Sequence, residues 1–65
     1  MDVILNGESY ALEQACNIDK LVETLQLEGK FAIEVNQTIV PRSEFPNTQL
    51  HAGDKIEIVQ AIGGG

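Results

Sequence analysis

The sequence has one cysteine and one histidine, too few for an internal disulfide or for a structural zinc site of four nitrogen or sulfur ligands. Tryptophan is absent, and only two prolines interrupt the chain. Basic side chains are scarce: four Lys and Arg stand against ten Asp and Glu, a net charge of −6. An acidic surface repels phosphate backbones, so no nucleic-acid partner is expected. The charge suits either steering toward a basic partner surface or plain solubility, and composition does not choose between them. No apolar run is long enough to span a bilayer, and the N-terminus lacks the basic-then-apolar pattern of a signal peptide. No membrane partner is therefore expected. A lone unpaired cysteine fits a reducing compartment, and the expected location is cytoplasmic.

What is present is core-forming material. Sixty-five residues make one domain near the lower limit for folding unaided. Stability must come from a compact apolar core, and Val, Ile, Leu and Ala supply most of the 43% hydrophobic residues.

The order of elements follows from period and turn chemistry. Met1, Val3 and Leu5 alternate with Asp2 and Ile4, and Asn6-Gly7 supplies the two positive-φ positions of a type I′ turn. A second strand then sets Tyr10 and Leu12 against Ser9 and Ala11. Ile18, Leu21, Val22 and Leu25 fall at i, i+3, i+4 and i+7, one apolar stripe of a helix. Asn17 is its expected N-cap, Asp19 places negative charge in the first turn, and Gly29 is the expected left-handed C-terminal stop. Phe31, Ile33 and Val35 read as a third strand. Asn36 and Gln37 turn the chain into a short strand ended or held at an edge by Pro41. Residues 42–50 read as irregular, with one helical turn capped by Ser43. Ala52-Gly53-Asp54 is a turn, and residues 55–61 form the last strand, with Val59 pointing away from Ile56 and Ile58.

A hairpin, one helix and further strands give an α+β fold in which the helix covers one face of a mixed sheet. A right-handed crossover through the helix sets a later strand parallel to the first. That is the β-grasp (ubiquitin-like) arrangement. The expected organisation is a β-grasp domain over residues 1–62 and a flexible glycine tail over residues 63–65.

Gly63-Gly64-Gly65 closes the sequence. Three glycines alone could be a frayed or engineered end. Here they leave directly from a predicted strand, and Ile58-Val59-Gln60-Ala61-Ile62 is apolar enough for a partner to grip. Without Cβ, glycine threads a narrow channel. Three extended residues reach about 10 Å, enough to deliver a carboxylate into a buried site. A carboxylate is a poor electrophile until it is activated, most simply as a mixed anhydride with AMP from ATP. A sulfur nucleophile then displaces AMP, and full transfer leaves a thiocarboxylate whose ionised sulfur is the nucleophilic form. This chemistry needs no catalytic side chain on the chain itself, and no protease is expected to be needed to expose Gly65.

Several further features follow one family pattern. They are Leu5-Asn6-Gly7, Val35-Asn36, Ile39-Val40-Pro41-Arg42-Ser43, Gly53-Asp54-Lys55-Ile56-Glu57-Ile58-Val59 and the glycine terminus. In order and spacing the chain resembles the thiamine-pathway sulfur-carrier family over essentially its whole length. The resemblance implies a covalently modified carrier rather than an enzyme. Gly65 would be adenylylated by an enzyme similar to the ubiquitin-activating class, with ATP consumed by that enzyme and no cofactor bound by the carrier. A cysteine desulfurase persulfide would supply sulfur, and thiazole synthase would receive it. Two alternatives share the glycine end: the small subunit of molybdopterin synthase, and a ubiquitin-like modifier joined to lysines. The former proteins are usually longer, and Pro41-Arg42-Ser43 points away from them.

The expected partner-binding residues are Val59, Ala61 and Ile62. Cys16 reads as a small core residue, with a redox role the alternative. His51 reads as a surface loop residue. Arg42 reads as a local structural contact, with a partner contact the alternative. No spacing suggests a catalytic triad, a phosphate loop or a metal site.

Overall fold

The computed structural model describes residues 1–60, and the secondary structure runs β1 (Asp2–Leu5), β2 (Glu8–Ala11), α1 (Ile18–Leu25), β3 (Phe31–Val35), β4 (Thr38–Val40), a 3₁₀ helix (Arg42–Asn47) and β5 (Lys55–Gln60). The strands form one sheet in the order β2-β1-β5-β3-β4. β1 and β5 run parallel, and the other pairs are antiparallel. This is the mixed β-grasp sheet that the sequence implies. The last strand is its centre, and β4, before Pro41, is an edge as expected.

Local chemistry sets each element. Asn6 and Gly7 take φ 48° and 84°, as a two-residue hairpin turn between right-twisted strands requires. Helix α1 starts at Asn17, whose side-chain oxygen accepts from the Lys20 N–H at 2.8 Å. It ends earlier than the sequence suggests. Gln26, not Gly29, holds the left-handed closing position at φ 55°. The Gln26 N–H bonds to the Glu23 carbonyl and the Leu27 N–H to the Val22 carbonyl, both at 3.1 Å. This paired closure satisfies two carbonyls of the last turn. Gly29 does take a positive φ, 77°, but in the loop beyond.

The helical turn expected within residues 42–50 is present as a 3₁₀ helix over Arg42–Asn47, but Ser43 does not cap it. Pro41 occupies the N-cap position with no side-chain cap bond. Burial holds the segment instead. Phe45 is buried and stacks on Phe31 with ring centres 6.2 Å apart.

The core lies between α1 and one sheet face. Val3, Ile33 and Ile56 come from the three inner strands, Ile18 and Leu21 from the helix, and Leu12, Cys16, Phe45 and Leu50 close the ends. Burying a side chain of this kind contributes about 1.5–3 kcal/mol. Val22 and Leu25, the rest of the helical stripe, are partly buried against it. The loop before the helix is tied to the segment ahead of β5: the Ile18 N–H donates to the Thr48 carbonyl at 3.1 Å, and the Leu50 N–H to the Cys16 carbonyl at 2.9 Å. No helix covers the opposite sheet face among the described residues.

Candidate functional site

The site expected from the sequence begins at β5 and runs toward Gly65. The strand opens from a turn tied by two side chains, those of Asp54 and Asn36. Gly53 takes φ 86°, and the Asp54 carboxylate accepts the His51 N–H at 2.8 Å and the Asn36 side-chain amide at 3.1 Å. Asn36 in turn accepts the Lys55 N–H on its side-chain oxygen at 3.0 Å, while its own N–H donates to the Lys55 carbonyl at 2.7 Å.

Along β5 the side chains alternate. Ile56 is buried and Ile58 packs against the core, whereas Glu57 and Val59 face the uncovered side. Val59 is 62% exposed, and its antiparallel partner is Ala32. Together with Lys30 and Phe31 they line a shallow, largely apolar depression. Ile4 and Ile39 are also exposed on this face, but they do not join Val59 in one patch. Ile4 pairs with Lys55, four positions before Val59, and Ile39 pairs with Glu34 in the row between. That middle row sets Glu34 directly opposite Glu57.

Of the expected site residues, Val59 lies where the sequence places it, exposed and opposite to Ile56 and Ile58. Ala61, Ile62, Gly63, Gly64 and Gly65 lie outside the described residues, as does the last position of the expected strand over residues 55–61.

The other singled-out side chains are away from β5's exposed face. Cys16 is free and only 2% exposed. Burial pushes its thiol above the ordinary value, Glu13 adds to the rise, and Lys20 opposes it. A thiol so placed is a poor nucleophile. His51 is exposed in its loop. Arg42 is a local structural residue: its guanidinium donates to the Gly29 carbonyl at 3.3 Å and lies 4.8 Å from the centre of the Phe31 ring. Among the described residues, no three His, Cys, Asp or Glu side chains gather as a metal site, and no helix is long and apolar enough to cross a membrane.

The sequence marks Asn6 and Asn36 as turn formers and as part of the family pattern, not as strand-bonding side chains. Both also bond into β5 through their side chains, Asn6 by accepting the Ile58 N–H at 2.9 Å. The signal available was an Asn at the first position of each tight turn, Asn6-Gly7 and Asn36-Gln37.

Comparison with known proteins places these features in a family. A family model described as the ThiS family matches residues 3–65. The sulfur carrier protein ThiS of Escherichia coli is 30% identical, with all of each chain covered. A thiazole synthase of Paramagnetospirillum magneticum is 36% identical over the whole of this chain, which spans 20% of that protein's length. The crystal structure of a thiamine biosynthesis protein (ThiS) from Geobacter metallireducens superposes with a TM-score of 0.84 at 26% identity, covering 100% of both chains.

Proposed function

The chain belongs to the ThiS family, and from that membership we propose that it is a sulfur carrier of thiamine biosynthesis whose Gly65 carboxylate is the reacting group. Its family is one of small sulfur carriers, not of catalysts. The observation that carries the reading is that the family match extends through Gly65 itself. The match to one-fifth of a thiazole synthase supports a place in thiazole formation.

In this reading the carrier is a substrate of other proteins. A ubiquitin-activating-like adenylyltransferase presents ATP, and a Gly65 carboxylate oxygen attacks the α-phosphorus, releasing pyrophosphate. The acyl adenylate then carries a good leaving group. The terminal sulfur of a persulfide, supplied by a cysteine desulfurase, attacks the acyl carbon and AMP departs. A thiol cleaves the resulting sulfur–sulfur bond, and the thiocarboxylate passes its sulfur to thiazole synthase. The carrier itself needs no bound cofactor. The buried free thiol of Cys16 suits a reducing cytoplasm.

Val59, Ala61 and Ile62 are the proposed anchors for the partners. An exposed valine on the central strand, in line with the residues leading to Gly65, lets one surface hold the body while the glycines enter a channel. The net charge of −6 favours a partner whose approach surface is basic.

The test is intact-mass analysis. With ATP and the activating enzyme alone, the carrier is expected to gain one AMP. With a sulfur donor added, its mass is expected to rise by the difference between one sulfur and one oxygen atom. Protein conjugates instead of a thioacid would reassign the chain to the ubiquitin-like modifiers.

A further inference from the structure

β5 is held unequally along its two edges. On the β3 side the pairing runs the whole strand, from Val35 with Ile56 to Phe31 with Gln60. On the β1 side it stops early, after Ile4 with Lys55 and Leu5 with Ile56. There β1 turns away through Asn6 and Gly7 into β2, and no further β1 carbonyl is available. The next N–H on that edge belongs to Ile58.

Asn6 supplies the missing acceptor. Its own N–H donates to the Ile56 carbonyl at 2.8 Å, and its side-chain oxygen accepts the Ile58 N–H at 2.9 Å. One residue therefore adds a further rung to the parallel ladder at the point where the backbone can no longer do so. Asn36 performs the mirror task at the other end of the strand, donating to the Lys55 carbonyl and accepting the Lys55 N–H. Both asparagines sit at positive φ, 48° and 52°. Glycine would satisfy that backbone but carries no oxygen, and most other side chains would be strained there.

We infer that Asn6 is a positioning residue for sulfur loading, fixing the direction in which β5 leaves the folded body. The inference rests on Gly65 being the reacting group. A partner that grips the body and threads the residues beyond β5 reads that direction as the place where the carboxylate arrives. With the Asn6 oxygen gone, the backbone of residues 58–60 is hydrogen-bonded along the β3 edge alone, and the end of the strand can swing about that edge. A displacement of about 1 Å at reacting atoms can cost a hundredfold in rate. Asn36 stabilises the strand at its start, too far back to steer its exit.

The experiment compares Asn6→Gly, Asn6→Asp and Asn36→Gly with the wild-type carrier. Asn6→Gly keeps the left-handed turn and removes the oxygen, whereas Asn6→Asp restores an acceptor. Two readouts are taken: hydrogen exchange at the Ile58 amide, and kcat and KM for adenylylation by the activating enzyme. Asn6→Gly is expected to exchange the Ile58 amide about two- to tenfold faster. Its kcat is expected to fall about ten- to a hundredfold, with KM little changed. Asn6→Asp should recover most of both losses, and Asn36→Gly should lower the unfolding midpoint without lowering kcat. The inference is overturned if Asn6→Gly keeps the wild-type kcat, or if Asn36→Gly loses as much. A wild-type chain that is never adenylylated sinks the carrier reading itself, an outcome separate from either of these.

Discussion

Glu34 and Glu57 stand directly opposite each other across β3 and β5, on the sheet face that no helix covers among the described residues. Like charges in directly opposed positions destabilise a sheet, whereas an opposite-charge pair contributes roughly 0.2–1 kcal/mol. The Glu34→Lys protein is therefore expected to unfold at a higher urea concentration than wild type, with the gain shrinking in high salt. The same variant should bind the activating enzyme more weakly, since it reverses a charge on the face a basic partner would approach. Unchanged stability at low salt would show that the two carboxylates already avoid each other.

Val59 tests the docking face. Exposed at 62%, it contributes little to the core, so Val59→Asp should fold with a near-wild-type midpoint. Replacing a buried interface anchor with a charge costs more than about 1–2 kcal/mol of binding. Affinity for the activating enzyme, measured by calorimetry, should fall about tenfold or more. Equal affinity would move the interface elsewhere.

Cys16 is expected to matter for stability and not for sulfur transfer. The Cys16→Ala carrier should form thiocarboxylate at the wild-type rate. It should unfold more easily, because a packed side chain is truncated. Its thiol value is raised in the fold, and the unfolded chain ionises at the ordinary thiol value. The unfolded state thus loses its proton first as pH rises. The thiol's contribution is fully present below that ordinary value and is lost as pH climbs toward the folded-state value. Urea titrations from neutral to alkaline pH should show a steeper decline for wild type than for Cys16→Ala. Parallel declines would mean that the thiol is not the titrating group.

Gly65 carries the strongest prediction. Deleting it shortens the reach by about 3.5 Å, and adding one residue after it moves the carboxylate the other way. Either change should cut thiocarboxylate formation about a hundredfold or more while leaving the unfolding midpoint unchanged. Wild-type rates in either variant would remove Gly65 from the chemistry.

The sequence made local structure legible wherever one short stretch decides it. Asn6-Gly7 names its own turn, Asn17 its own cap, and the stripe of Ile18, Leu21, Val22 and Leu25 its own buried face. It misled where the deciding partner is chosen by tertiary packing. Gly29 is the better left-handed residue, yet the helix closes at Gln26, which sets Leu27 and Val22 along the same cleft. The 3₁₀ helix exists because Phe45 must reach Phe31, a residue in a different element. The site was half legible. Val59 follows from strand alternation, but the bond from Asn6 to Ile58 spans 52 positions, and no local pattern announces it.

The central place of β5 has a consequence for how the chain is made. Among the described residues, the β1–β2 and β3–β4 hairpins do not pair with each other, and β5 alone joins them. It is also the last of the five to be synthesised. The two hairpins and α1 are each built from neighbouring residues, but the sheet closes only when residues 55–60 pair with β1 on one side and β3 on the other. The body thus assembles around the very segment that precedes Gly65. A chain truncated before Lys55 should therefore show no protected sheet amides.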